Sequence, residues 1–299
     1  MIGQLLVDGV LTGAILALGA IGITLCLSVL RFANFAYAEL LTVGAYASLA
    51  VVFAIGGTGL PIGPFSFGIY LGLAVLVSIA ITALAALLGE SLVFAPLRRN
   101  NANSLVLVFA SFGLALVVRN LVLLFFGPQP EYYSRELQIA MRLPGGIRIM
   151  PDQVVVLATA FAALAILWWF LHRTRYGLAM RAVSENTALA QVCAISPKTA
   201  IWVTWCVIGV LGAVGGTLFG LTVQLRPEMG ASLLLPLFTA AVLGGVGSIP
   251  GAVIGGLVVG IAESLSPLVL PTAYRSIVPF LILIGCFLIR PQGLFGKSQ

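Results

Sequence analysis

The chain has 299 residues, of which 61% are hydrophobic and 8% charged, with a formal net charge of +6 and a mean hydropathy of +1.15. Soluble domains are about 45–50% apolar and about 25% charged, so the composition excludes a soluble fold and points to a membrane protein. No polar stretch is long enough for a second fold, and 1–299 reads as a single transmembrane domain.

A spanning helix needs about 20 mostly apolar residues. Apolar segments recur at 6–30, 33–56, 66–95, 104–126, 152–171, 200–224, 232–247, 251–270 and 276–290. They predict an all-α polytopic membrane protein with about eight to nine transmembrane helices. The start, MIGQLLVDGVLTG, lacks the basic region of a cleaved signal peptide and reads as the beginning of the first span. Segment 66–95 is long for one crossing, so it tilts or extends out of the bilayer. Segment 232–247 is short, and either crosses or re-enters. Connections carry Gly and Pro, as in GGTGLPIGP at 56–64 and GPQPEYYSRELQIAMRLPGG at 127–146. Glycines are also dense within spans, as in GAVGGTLFG at 212–220, where small residues let helices approach closely.

Basic residues punctuate the apolar runs and form no stripe with interleaved aromatics; they read as topology signals, and nucleic acid is excluded as a partner. With the loop 172–199 placed inside, alternation puts Arg31, Arg98, Arg99, Arg173, Arg175, Arg181, Lys198, Arg290 and Lys297 inside. Arg135, Arg142, Arg148, Arg226 and Arg275 fall outside, and Arg119 lies within a span, nearer its outer end. The N-terminus is then outside and the C-terminus inside, provided that 232–247 crosses. Two stretches, RFANFAYAELLTVGA at 31–45 and RPEMGASLLLPLFTAAVLGG at 226–245, each place an Arg and a short polar interruption before an apolar run. They lie on opposite sides in this topology, as inverted repeats around a transport path would.

Uphill transport needs an energy source. The nearest approach to a P-loop, in RPQGLFGKSQ, ends in Gly296-Lys297-Ser298 but has Pro291 where the first glycine belongs. The chain is therefore not its own ATPase. Cys26, Cys193, Cys206 and Cys286 have no metal-ligand spacing, and His172 is the single histidine, so no metal site is assigned. HExxH is absent and no GxSxG is suitably placed, so no catalytic residue is assigned and the chain is not an enzyme. Ion coupling would rest on acids within spans, where a charge at the bilayer centre costs about 2.5–3.5 kcal/mol. Glu90, near the inner end of its span, reads as snorkelling or interfacial. Glu263 lies mid-span and either lines a cavity or pairs with Arg119. Glu39 follows Asn34 and Tyr37 in NFAYAEL, which is either a short inner loop or a helix break facing a water-filled path. Asn34, Tyr37, Glu39 and Glu263 are the candidate path residues.

One polar island, RTRYGLAMRAVSENTALAQVCAI at 173–195, interrupts the apolar chain. Ser184 reads as an N-cap with Glu185 in the first turn. Leu189, Val192 and Cys193 repeat at i, i+3 and i+4, and Ser196-Pro197 stops the helix. The pattern predicts an inner-side amphipathic helix of about three turns. Its alternatives are the membrane surface, with Arg173 and Arg175 at lipid phosphates, and a pocket on another protein. The apolar stripe lacks Trp and Phe and the polar face is not rich in Lys, which favours the protein pocket.

This island resembles the coupling segment of ABC transporter permeases of the branched-chain amino acid uptake family, T-R-x-G-x-x-x-R-A-x-x-x-N followed by a helix ending in G-I. Thr174, Arg175, Gly177, Arg181, Ala182, Asn186 and Ile195 match, while Ala194 stands where the family commonly has Gly. RFANFAYAELLTVGAY resembles the family's R-x-x-N-F-A-H-G-E-L-x-x-x-G-A-Y, with Tyr37 and Ala38 replacing His-Gly. RPEMG, AAVLGGVGSIPGA and RPQGLFGK match further motifs, and the length resembles the shorter, H-type subunit.

The resemblance implies an ABC importer permease fold in the bacterial inner (plasma) membrane. It implies a pore shared with a second permease subunit, a related longer chain. Two ABC ATPase subunits would receive the coupling loop, and an extracytoplasmic substrate-binding protein would deliver substrate to the outer loops, including 127–151. ATP and Mg would bind to the ATPase subunits, with no cofactor on this chain. Arg175, Gly177, Arg181, Ala182, Glu185, Asn186, Leu189 and Ile195 are the residues implied in coupling. The implied substrate is a branched-chain, hydrophobic amino acid. The alternatives are a sibling permease for urea, amides or another small solute, and an ion-coupled secondary transporter.

Overall fold

The computed structural model describes every residue except 1, 60–62, 64, 135–139, 143–147, 272–273, 291 and 297–299. Each predicted apolar segment forms a helix. α1 (Ile2–Leu25) continues into a π-helical turn, Cys26–Leu30. α2 (Tyr37–Ile55) follows, then α3 (Ile69–Gly89), which runs through a second π-turn, Glu90–Phe94, into α4 (Ala95–Arg99). α5 (Ser104–Phe126) and α6 (Pro151–Arg173) are separated by a small hairpin of β1 (Met141–Arg142) and β2 (Arg148–Ile149). Two short helices come next, α7 (Arg175–Glu185) and α8 (Thr187–Val192). α9 (Pro197–Thr222), α10 (Met229–Gly244), α11 (Ile249–Leu265) and α12 (Ile277–Ile289) complete the chain. Among the described residues, seven helical stretches are long and apolar enough to cross a membrane; α10 and α12 are apolar but shorter.

The connections fall at two ends. At one, the Arg148 N–H donates to Gln4 Oε1 at 2.9 Å, Ser66 bonds Asp152, and Glu131 forms an antiparallel bridge with Leu225. At the other, Ser104 Oγ donates to the Arg31 carbonyl, and the N–H groups of Leu294 and Phe295 donate to the carbonyls of Leu243 and Gly244. α10 therefore runs from the first end, beside Leu225, to the second, beside Phe295. It thus joins the two ends, as a crossing would and a re-entrant loop would not; its 16 residues reach about 24 Å at 1.5 Å per residue. Arg31, Arg98, Arg99 and the 172–199 loop share the second end, as the charge asymmetry requires. Arg135, Lys297, Pro291 and the side chain of Arg142 lie outside the described residues.

α1 is the axis of the packing: every residue from Gly13 to Cys26 is buried. α11 lies antiparallel against it, so close that a Cβ at Gly13 would sit 2.8 Å from Leu257 Cα. Small residues are what permit this approach. α2 and α9 complete the enclosed layer. α3, α5, α6 and α12 lie outside it and present Leu, Ile, Val and Phe outward. The polar side chains of α3, Ser78 and Thr82, turn inward. Segment 66–95 accommodates its length by extending through its π-turn to Arg99. That turn places Phe94 between Phe32 and Trp205, with ring centroids 5.1 and 5.2 Å away.

Glu90, expected to be snorkelling or interfacial, is 3% exposed and ion-paired with Arg98. Arg98 lies eight residues further on, across the π-turn, and its guanidinium offsets the desolvation of the carboxylate.

Candidate functional site

The stretch 31–36 is a non-helical break between the first π-turn and α2. Arg31 takes a left-handed conformation at φ 61° and reverses the chain after the first π-turn. Backbone polar groups freed in such a break must be satisfied internally. Asn34 Oδ1 accepts from the Ala36 N–H at 3.1 Å, and Ser111 Oγ on α5 accepts from the Phe35 N–H at 3.1 Å. Asn34 Nδ2 also faces Cys26 Sγ at 3.8 Å. Tyr37 is fully buried against Gly22 of α1. Asn34 and Tyr37 thus hold the break together from inside the protein.

Two residues beyond Tyr37 stands the principal charge pair. Glu39 Oε1 accepts from Arg119 Nε at 3.1 Å and Nη2 at 2.7 Å, and Glu39 Oε2 accepts from Thr42 Oγ1 at 3.2 Å. The Glu39 side chain is 2% exposed and that of Arg119 29%. α10 begins directly over this pair: a Cβ at Gly230 would lie 2.6 Å from Glu39 Oε2. Eight residues along α10, Phe238 stacks on Phe35 at a centroid distance of 5.3 Å. α2 and α10, each preceded by an interruption, therefore pass one another in opposite directions.

Glu263 does not pair with Arg119. It is 8% exposed and faces Arg275, whose Nη2 lies 4.0 Å away. Depth explains the exchange of partners. α11 carries Glu263 close to the 266–276 connection. The break starts α2 well inside the layer and sets Glu39 level with Arg119.

The outer connection is fastened to the same region. Tyr133 Oη donates to the Ala45 carbonyl at 2.8 Å, beside a 2.8 Å Ser48–Thr217 hydrogen bond. Burial pushes the Tyr133 hydroxyl above its ordinary pKa, so it acts as a neutral donor. The Glu131–Leu225 bridge joins this connection to the segment leading into α10.

At the opposite end, the polar island forms a helical hairpin. Helix α7 starts on Thr174, whose Oγ1 accepts from the Gly177 N–H at 3.0 Å. Gly177 packs on the end of α6, where a Cβ would sit 2.5 Å from Leu171 Cα. Met180 and Val183 are buried, and Ala182 packs against the core. The helix start differs from the sequence reading: Asn186 is the N-cap of α8, accepting from the N–H groups of Ala188 and Leu189 at 3.0 Å each. Ser184 and Glu185 belong to the last turn of α7, and the Ser184 hydroxyl donates to the Arg181 carbonyl at 2.7 Å. Asn is as good an N-cap as Ser, and its extended backbone (φ −151°, ψ 106°) bends the single expected helix into two.

Ala190 anchors α8 to the bundle, and Ile195 packs against the core. Leu189 and Val192 remain 61% and 83% exposed, alongside Tyr176 and Leu178. Arg175 is exposed, and Arg181 is half-buried with its Nε lacking a hydrogen-bond partner among the described residues. Among the described residues no three His, Cys, Asp or Glu side chains cluster as a metal site would require.

Oppositely directed helices, one entered through an unwound break, around an ion pair enclosed by apolar helices are what a multi-pass membrane transport component would contain. The chain belongs to the family of permease components of branched-chain amino acid transport systems, whose model matches residues 5–287. The family is one of transport subunits and not of enzymes. The chain is 31% identical to the high-affinity branched-chain amino acid transport system permease protein LivH of Escherichia coli, over 99% of this chain and 96% of that protein. It is 31% identical, with the same coverage, to the corresponding permease BraD of Pseudomonas aeruginosa. It is 28% identical to the probable permease LivH of Methanocaldococcus jannaschii, over 98% of this chain and 92% of that one. Among solved structures, PsaBC from Streptococcus pneumoniae in complex with Fab superposes with a TM-score of 0.51 at 13% identity, over 97% of this chain and 92% of that one. That likeness supports the fold.

Sequence reasoning made Glu39 a candidate path residue and did not name its partner. It also missed Ser111, which has no distinguishing signal, being one hydroxyl in an apolar run.

Proposed function

We propose that this chain, as one transmembrane domain, is a permease subunit of an ABC importer for branched-chain amino acids. It forms the translocation path with a second permease subunit, a related longer chain. Two ABC ATPase subunits bind ATP and Mg and drive the cycle, and an extracytoplasmic binding protein delivers the substrate. The observation that carries this reading is the α7–α8 hairpin at the basic end. Gly177, Met180, Val183 and Ala190 fix it to the bundle, while Leu189 and Val192 stand unburied. A small apolar knob with neutral flanks suits a cleft on another protein.

In this reading Leu189 enters the ATPase cleft, with Arg175, Arg181, Glu185 and Asn186 around it. Gly177, Ala182 and Ile195 transmit movement to α6 and α9. Asn34 and Tyr37 shape the path by holding the break, Glu39 borders it, and Glu263 belongs to its outer end. Each nucleotide state then favours one permease conformation only through different contacts at this hairpin.

Leu189→Asp tests the assignment. With the partner subunits present, uptake should fall at least tenfold while the complex still assembles and retains basal ATP hydrolysis. Normal uptake with normal substrate-stimulated hydrolysis would refute the docking role.

A further inference from the structure

Arg119 directs two nitrogens at one oxygen of Glu39, yet its side chain keeps 29% exposure. It opens on a recess of about 460 Å³ shared with Leu123, Pro227, Glu228, Ala231 and Ser232. Leu123 also borders an adjoining depression of about 800 Å³, lined by apolar residues of α5 and by Asn120. A guanidinium exposed to lipid within a span is costly, so in the assembled transporter this face is covered by protein or water.

Gly230 closes the first turn of α10 over Glu39, which leaves Arg119 as the charge a solute meets. Thr42 Oγ1 also donates to Glu39 Oε2, at 3.2 Å. The recess therefore offers one cation, one exposed carboxylate (Glu228) and an adjoining apolar wall. That is the complement of a zwitterion carrying an apolar side chain.

We propose that this recess is a transfer site for a free α-amino acid. Arg119 keeps Nε on Glu39 and takes the carboxylate on its two terminal nitrogens, Glu228 faces the ammonium, and the side chain lies over Leu123. The proposal rests on the amino-acid import reading above.

The test uses the complete reconstituted transporter during ATP turnover. Ser232→Cys is introduced in a Cys193→Ala background, and its labelling by a small thiol reagent is timed above that background. Leucine should slow labelling at least threefold. Isoamylamine, which lacks the carboxylate, should not. Arg119→Lys and Glu228→Gln should each abolish the protection; should Arg119→Lys fail to assemble, the exposed Glu228→Gln decides. Equal labelling with and without leucine, or protection that survives Glu228→Gln, overturns the proposal. Leucine uptake by the unsubstituted transporter is measured in parallel. No uptake rejects the import reading itself, whereas uptake without protection rejects the recess alone.

Discussion

Glu39 and Arg119 illustrate how a charge is kept inside a membrane protein. Neither is tolerable there alone, and each satisfies the other through two hydrogen bonds to one oxygen. Removing one partner of a buried pair leaves an uncompensated charge, which costs roughly 3–5 kcal/mol, whereas replacing both is often close to neutral. Arg119→Gln is therefore expected to destabilise the protein by about 3 kcal/mol, the lower end of that range because Arg119 is partly exposed. Glu39→Gln combined with Arg119→Gln should restore most of that loss. Thermal denaturation of the single and double variants in detergent measures both. Ala194 is a second informative residue. It sits at φ 59° after α8, with the Ile195 N–H donating to the Ala190 carbonyl at 2.9 Å. This is a left-handed helix end that favours glycine. Ala194→Gly should raise the melting temperature, by the equivalent of up to about 1 kcal/mol, with uptake retained: it removes the roughly 1–2 kcal/mol cost of a left-handed alanine and adds part of it back as chain entropy.

At the scale of elements, the helices were legible because spanning a bilayer demands about 20 apolar residues in a row, and composition cannot hide that. The interruption at 31–36 was visible as polarity but not as geometry. Its unwound backbone is satisfied by Asn34, which is local, and by Ser111, which is 77 residues away in the sequence from Asn34. The hairpin at 173–195 was legible in kind, but its cap was displaced by two residues. Ser184 and Asn186 are both good caps, and the choice is made by tertiary packing. Met180 and Val183 are buried against the bundle, so the chain remains helical past Ser184 and bends only at Asn186. The apolar stripe of α8 then faces away from the core. A sequence pattern fixes a stripe but not what covers it.

At the scale of the molecule, partners across the layer were the least legible feature. Counting residues from the ends of spans left Glu263 either lining a cavity or pairing with Arg119; Arg119 instead pairs with Glu39, which follows the break in front of α2. The connections expected on one side do gather at one end of the bundle, because alternation acts on loops and is indifferent to packing. The Lys and Arg count predicts that the 172–199 hairpin lies inside. Thr187→Cys should accordingly react with a membrane-impermeant thiol reagent in inside-out vesicles and not in intact cells. Labelling in intact cells, above a Cys193→Ala control, would reverse the orientation.

In the proposed function this chain conducts solute but does not power transport. The most direct test is reconstitution in liposomes, first of the purified chain alone under an ion gradient, then of the chain with its second permease, ATPase subunits and binding protein. Uptake of leucine only in the complete assembly, and only with hydrolysable ATP, is the predicted result. Vigorous gradient-driven uptake by the chain alone would contradict it.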